Sequence, residues 1–310
     1  MTSEKSLIKL YRTRTFGEKI SDTFDFVREN WRILLKFITY LLLPVALVQT
    51  FCSNNFMSGY MQTFAMIGSG SPDLNEMLPW LSSLALMTLT MYVGIILLTA
   101  LVYTMMQEYE QRPGLQGITF ADLKSGILSK IGRQVILLIT SIVLYAVIIM
   151  IAALMIAISP VLILPAILIA VIALPLFVLV LPIYLFEKTG LISAYAKSIR
   201  LGWKTWAGVV GVVVVLYIVV AILQGIISTP WYLMLTVKNV LSTTGNSAGF
   251  VSSFSYTAIQ YLLGVISSFV GSCLMSLIYI GIAYQYGHAC DKVDGVSVDK
   301  DIENFENLNN

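Results

Sequence analysis

The chain has 310 residues, of which 57% are hydrophobic and 12% charged, with a formal net charge of +2 and a mean hydropathy of +0.84. A soluble domain carries about a quarter charged residues, so roughly half the expected charge is missing and water-facing side chains cannot cover the apolar surface. These values exclude a soluble globular domain and call for lipid.

The chain opens on a polar, charged stretch, and the first long apolar run begins only at Ile33. A cleavable secretory signal places a short apolar run near the start, so the first span is expected to serve as an uncleaved signal anchor. Residues 1–14 read as a cytoplasmic tail. Behind the capping box Thr15-x-x-Glu18, Phe16, Ile20, Phe24, Val27 and Trp31 recur at three- and four-residue spacing, which predicts an amphipathic helix with basic residues on its remaining faces.

A span needs about 20 mainly apolar residues, and six stretches qualify, at about 33–52, 79–106, 134–158, 161–186, 207–229 and 257–285. The third and fourth are fused from Gln134 to Phe186 without one charge, so the run must turn back. Ser159-Pro160 is the expected turn, because proline disfavours helix in the residue before it. A second amphipathic helix is expected ahead of the third span, from Phe120, Leu123, Ile127 and Ile131 behind the box Thr119-x-x-Asp122. A third is expected ahead of the fifth, from Ile192, Tyr195, Ile199 and Trp206, with Trp203 between. Three copies of one unit follow, starting near residues 15, 119 and 190: interfacial helix, span, outer connection, span. Such helices lie in the headgroup plane or present a docking surface to a cytoplasmic partner or to anionic lipid heads.

Lysine and arginine placement orients the spans. Seven precede the first (Lys5, Lys9, Arg12, Arg14, Lys19, Arg28, Arg32), four lie in 107–133, four in 187–206 and two in the tail, so 17 of 19 share one side. Both termini are therefore expected in the cytoplasm. Only Lys238 falls in the opposite connections, and Lys36, one turn inside the first span, can snorkel to the headgroups. Trp31, Trp203 and Trp206 fall at inner ends of spans, Trp80 and Trp231 at outer ends, where an amphipathic indole is favoured. The outer connections 53–78 and 230–256, with Phe56, Met57, Tyr60, Met61, Phe64 and Met66, then Trp231, Tyr232 and Met234, read as loops that cover the bundle or lie on the outer leaflet.

Within the bilayer, Gly264, Ser268, Ser272 and Ser276 stand four apart, with Ser267 and Gly271 alongside, a pattern that packs against a neighbouring helix or lines a pore. Pro165, Pro175 and Pro182 mark the fourth span as bent or hinged.

The chemistry these residues leave out narrows function. No Asp, Glu, Arg or His lies at mid-membrane depth, where proton relays and ion-coupled carriers place them. Cys52, Cys273 and Cys290 are too few and too scattered for a disulfide framework or metal cluster and read as unpaired thiols. The one histidine, His288, stands at the exit of the sixth span; with Cys290 and Asp291 it matches no common metal spacing. Neither a phosphate-binding nor a dinucleotide-binding glycine motif is present. The sequence therefore names no catalytic, cofactor-binding or metal residue and no nucleic-acid partner. Residues 288–310, rich in Asp, Glu and Asn, read as a disordered cytoplasmic tail.

Two stretches carry a resemblance: Thr15-Phe-Gly-Glu-Lys-Ile through Asn30-Trp31 to Pro44, and Ala194-Tyr-Ala-Lys-Ser-Ile-Arg-Leu-Gly-Trp203. Over residues 15 to about 290 the chain resembles a family of bacterial integral membrane proteins named after the membrane domain fused to some glycerophosphoryl diester phosphodiesterases. The resemblance implies a multi-span helical protein of the bacterial inner membrane; it does not carry over phosphodiesterase activity, because the catalytic domain is missing. The expectation is an all-α, six-span, non-enzymatic scaffold, accessory or lipid-interacting module whose partners are membrane lipids and a protein docked on the amphipathic helices. The alternative is a permease or channel for a neutral or lipid-like substrate.

Overall fold

In the computed structural model, which describes residues 7–68, 74–112, 114–166, 176–244 and 248–297, the capping chemistry starts the helices where the sequence places it. The Thr15 N–H donates to Glu18 Oε2 at 2.6 Å and the Glu18 N–H to Thr15 Oγ1 at 3.4 Å, opening α1 (Phe16–Gly68). After α2 (Leu74–Gln111), Asp122 Oδ2 accepts from the N–H and the hydroxyl of Thr119, both at 2.9 Å, at the head of α3 (Phe120–Ile158). That helix stops at Ser159, directly before Pro160, and a 3₁₀ turn (Pro160–Leu162) follows, as the proline requires. The remaining helices are α4 (Val180–Phe186), α5 (Leu191–Lys204), α6 (Trp206–Thr244), α7 (Ala248–Val251) and α8 (Phe254–Asp294). No strand occurs among the described residues.

Among the described residues, five helices are long and apolar enough to cross a membrane: Phe16–Met57, Met77–Gln111, Phe120–Ile158, Trp206–Leu241 and Phe254–Asp294. The fourth expected span, 161–186, is described only in part: its apolar helical stretch Leu176–Phe186 rises about 16 Å at 1.5 Å per residue, and 167–175, with Pro175, lies outside the described residues.

Three expectations are corrected. The described parts of the outer connections are mostly helical: α1 continues to Gly68, α2 begins at Leu74, and α6 runs to Thr244. Pro79 and Pro230 sit inside helices, where hydroxyls bond to nearby carbonyls, Ser83 Oγ to Pro79 O at 2.9 Å and Thr229 Oγ1 to Gly225 O at 2.7 Å. The amphipathic segments ahead of the first and third spans are not separate helices either, since α1 and α3 run through without a break. Only α5 stands apart, ending at Lys204 with Thr205 as its C-cap. At the other end of the chain, α8 continues to Asp294, past residue 287 where the tail was expected to begin.

The chain divides into two compact units. The first comprises Met1–Ile33, Thr99–Tyr217 and Leu277–Asn310. Set in register on the residues before α1, α3 and α5 (Thr15, Thr119 and Gly190), the buried positions of this unit coincide. Lys19, Leu123 and Ala194 are buried; so are Thr23, Ile127 and Ser198; so are Phe26, Lys130 and Leu201; so are Asn30, Gln134 and Thr205. One helical face is thus used three times, at the 3.6-residue period that puts such positions in line. Three aromatic rings from the helices that follow meet in a row, Tyr103 tilted against Phe186 at 4.9 Å and Phe186 stacked on Tyr286 at 5.7 Å.

The buried face of α1 is not the apolar stripe read from the sequence. Phe16, Phe24 and Trp31 are exposed, and the inward positions carry Lys19, Thr23, Phe26 and Asn30. Thr23 Oγ1 and Asn30 Nδ2 satisfy themselves on the helix, donating to Lys19 O at 2.7 Å and Phe26 O at 2.9 Å, so the polar face can be buried while the apolar one is left for lipid.

The second unit, Leu34–Leu98 and Ile218–Ser276, packs by close approach. A Cβ on Gly264 would meet Thr50 Cγ2 at 2.5 Å and Trp231 Nε1 at 2.8 Å, and one on Gly271 would meet Gln224 Oε1 at 2.9 Å. The small-residue stripe of α8 is therefore packed against neighbours here, with Thr50 Oγ1 and Ser268 Oγ 3.3 Å apart. Trp231 Nε1 donates to Asn54 Oδ1 at 3.1 Å, Phe56 stacks on Trp80 at 5.5 Å, and exposed Lys36 lies 5.5 Å from the ring of Phe37.

Candidate functional site

The polar chemistry of the first unit gathers at the chain segments that flank the apolar stretches. Its anchor is Arg14, whose side chain is fully buried in an ion pair with Asp22, Nε to Oδ2 at 2.6 Å. The guanidinium also donates to the carbonyls of Leu10 at 2.9 Å, Arg12 at 3.1 Å and Lys9, and lies 4.8 Å over the ring of Tyr284. Five planar donors make arginine suited to tying a backbone turn in this way. The Arg14 N–H donates to His288 Nδ1 at 2.9 Å, which fixes the proton of the neutral imidazole on Nε2. Burial, then Lys19, Lys292 and Arg14, press the His288 pKa down to about 4, with Asp291 opposing. Gly287 lets this end of α8 lie against the segment before α1: a Cβ there would stand 2.1 Å from Leu10 O.

A second knot centres on Glu187, just past α4. Its Oε1 accepts from Tyr286 OH at 2.7 Å and Lys197 Nζ at 2.7 Å, with Cys290 Sγ at 3.9 Å. Tyr11 OH reaches Tyr286 OH at 3.1 Å, and Asp294 holds Arg200 at 2.9 Å and Lys197 at 3.7 Å. Burial pushes the Tyr11 hydroxyl up to about 12 and the Cys290 thiol up to about 12, so neither is poised as a nucleophile. The carboxylate beside them, Glu187, is already committed to Lys197. These partners tie the end of α4, α5, α8 and the segment before α1 together, and do not form a nucleophile–base pair.

A third cluster is different in kind. Lys19 Nζ, on the first turn of α1, and the amide of Gln285 converge on Gly208, in the first turn of α6. A Cβ built on Gly208 would stand 3.1 Å from Lys19 Nζ and 3.2 and 3.3 Å from Gln285 Nε2 and Oε1. Gln285 is 1% exposed, and neither polar atom of its amide has a hydrogen-bond partner among the described residues. Burial, then Lys292 and Arg14, hold the Lys19 ammonium down at about 8.

The sequence marked His288, Cys290 and Asp291 and set them aside as a metal site. The structure separates them by role: His288 accepts from Arg14, Cys290 points to Glu187, and Asp291 Oδ1 accepts from the Ser297 N–H at 2.9 Å. No group of three His, Cys, Asp or Glu side chains able to hold a metal occurs among the described residues. The sequence missed Lys19, Gln285 and Gly208. The available signal was the three-unit register, in which Lys19 alone puts a charge where Leu123 and Ala194 stand.

The fold and these clusters define a class: an all-helical protein with five helices long and apolar enough to cross a membrane several times. Compared with known proteins, the chain matches no family model, no curated protein and no solved structure.

Proposed function

We propose that the protein is a non-enzymatic integral protein of the bacterial inner membrane, a scaffold, accessory or lipid-interacting module, with six crossings arranged as three hairpins and both termini in the cytoplasm. The observation that carries this reading is the outward face of α5. Ile192 is 85% exposed and Trp203 66% exposed, with Ile199 beside them, while the inward face is small and closely fitted: Ala194, Ser198 and Gly202. An apolar stripe turned away from the protein's own core, on a helix bearing Lys197, Arg200 and Lys204, is built to rest on lipid headgroups or on a partner.

The even number of crossings is supported by Arg133, just ahead of the uncharged stretch of α3. Its guanidinium donates to Tyr184 O at 3.0 Å and Thr189 O at 2.6 Å, which puts residues 184 and 189 beside the N-terminal side of the apolar stretch of α3, as a returning chain would be. Three equivalent units are supported by the coincident burial around Thr15, Thr119 and Gly190. The resemblance to the membrane domain found beside glycerophosphoryl diester phosphodiesterases is offered on the residues that carry it and supplies no activity.

Purification of the full chain in mild detergent tests the function. The scaffold reading expects one partner in fixed stoichiometry, or selective retention of lipid, lost on Trp203→Ala. Flux of a neutral or lipid-like solute in liposomes, falling with Pro175→Ala, would replace it with the permease reading. A reporter scan that placed residues 53–78 in the cytoplasm would overturn the topology.

A further inference from the structure

Where the apolar run of α1 begins, at Ile33, the first unit holds a cleft of about 380 Å³ lined by Glu29, Asn30, Trp31, Arg32, Ile33 and Gln116. Small-molecule sites occupy about 300–1,000 Å³, so a headgroup-sized molecule has room. Gln116 reaches the cleft from the connection between α2 and α3. Gly114 and Gly117 flank it at φ 107° and 79°, a region that suits glycine, and buried Leu115 and Ile118 pin the turn to the unit. A Cβ on either glycine would meet nothing within 4 Å, so the space beside the turn is open. The lining carries one charge of each sign. Glu29 and Arg32 stand three apart on α1, close enough in sequence to pair. Yet Arg32 forms no ion pair or hydrogen bond among the described residues, and its guanidinium lies 5.4 Å from the centre of the Trp31 ring. Glu29 Oε2 accepts from Tyr109 OH at 2.8 Å, which ties the carboxylate to α2. Asn30, 5% exposed, spends its Nδ2 on Phe26 O and so offers an acceptor.

We propose that this cleft binds the phosphoethanolamine headgroup of a membrane lipid, with phosphate on Arg32 and Gln116 and ammonium on Glu29 and Asn30. Depth supplies the lipid. Phe16–Met57 is long and apolar enough to cross a membrane, and the cleft sits at the turn where its polar segment gives way to the apolar run. Exposed Trp31 marks the same level, since an indole is favoured at the lipid–water boundary. Charge supplies the headgroup. The guanidinium and the Gln116 N–H₂ are donors suited to phosphate oxygens. The Glu29 carboxylate and the Asn30 carbonyl are acceptors suited to a primary ammonium, which carries three donors. A choline headgroup has no N–H to give, and a glycerol headgroup brings no positive charge to Glu29.

The inference deepens the lipid-interacting reading above and rests on it, and the test separates the two. The full chain is delipidated in neutral detergent, lipids of matched acyl chains are added back, and bound copies are counted by native mass spectrometry. One saturable site is expected for phosphatidylethanolamine, about tenfold or more tighter than for phosphatidylcholine or phosphatidylglycerol. Arg32→Gln should lower that affinity about tenfold. Glu29→Gln, which keeps an acceptor for Tyr109, should bring phosphatidylethanolamine down to the level of phosphatidylcholine without weakening phosphatidylglycerol. Gln116→Ala, on an exposed turn, should weaken binding and leave the melting temperature unchanged. Calorimetry with soluble phosphoethanolamine reads the headgroup without its chains and should give the same order of variants at lower affinity. Retention of all three lipids alike by the parent protein overturns this inference alone, and so does a parental preference for phosphatidylglycerol. Retention of no lipid at all overturns the lipid-interacting reading with it. Parental affinity in both Arg32→Gln and Glu29→Gln overturns the site, and equal affinity for the lipid and for soluble phosphoethanolamine overturns the assignment to a lipid.

Discussion

The two units of this chain both use close glycine contacts and hydrogen bonds, and differ in that the first also ties down buried charge. In the first, buried charge is tied down by specific bonds: Arg14 to Asp22 and three carbonyls, Glu187 to Tyr286 and Lys197. In the second, helices come close because glycine leaves room, Gly264 under Thr50 and Trp231, Gly271 under Gln224. The difference teaches where each device pays off. Away from water a fully bonded charge is a strong but brittle tie, since loss of one partner strands the other. Small-residue contact is weak per site and tolerant, because dispersion is spread over many atoms and flexible neighbours can shift.

That contrast can be broken by ranking substitutions. The largest expected effect is from Arg14→Met, which strands Asp22 and three carbonyls and should lower unfolding free energy by about 3 kcal/mol. Gly287→Ala should follow at about 2 kcal/mol, because the atom it meets is the backbone carbonyl of Leu10, which cannot swing aside as a side chain can. In the second unit, Gln224→Leu removes hydrogen bonds to Ser267 O and Oγ, both at 3.2 Å, and should cost only about 0.6 kcal/mol. Reversible denaturation of the full chain in mixed micelles measures all three. If Gln224→Leu were as damaging as Arg14→Met, the contrast between the units would be wrong.

A pH series sharpens the same comparison. His288 binds its proton less readily in the fold, at about 4, than in the unfolded chain near its ordinary 6.5. Between those values the unfolded state takes up more protons, so stability falls as pH drops from about 6.5 towards 4. His288→Asn keeps an acceptor for the Arg14 N–H and removes the titration, so its melting temperature should depend less on pH over that window. An unchanged slope would show that other groups govern the acid limb.

Much of the helix plan was legible in the sequence, and the reasons are local. Thr15-x-x-Glu18 and Thr119-x-x-Asp122 set helix starts through bonds within one turn, and Ser159-Pro160 set a stop through sterics at one peptide. What escaped was decided by tertiary contact. The stripe Phe16, Phe24 and Trp31 has helical period, but period does not say whether an apolar face meets protein or lipid, and here it is exposed. The stretches 53–68 and 230–244 looked like loops by composition, yet a membrane environment leaves backbone groups no better partner than the helix itself. The cluster at Lys19, Gln285 and Gly208 joins residues distant in the chain, each unremarkable alone.

The coincident register of Lys19, Leu123 and Ala194 has an evolutionary consequence. When one helical face is built in triplicate, two copies can carry the packing while the third is released to vary. Leu123 and Ala194 fill space at their positions in this register, whereas Lys19 brings a charge to the corresponding buried position, where a property other than packing can reside. Redundancy of this kind turns a repeated scaffold into raw material for specialisation.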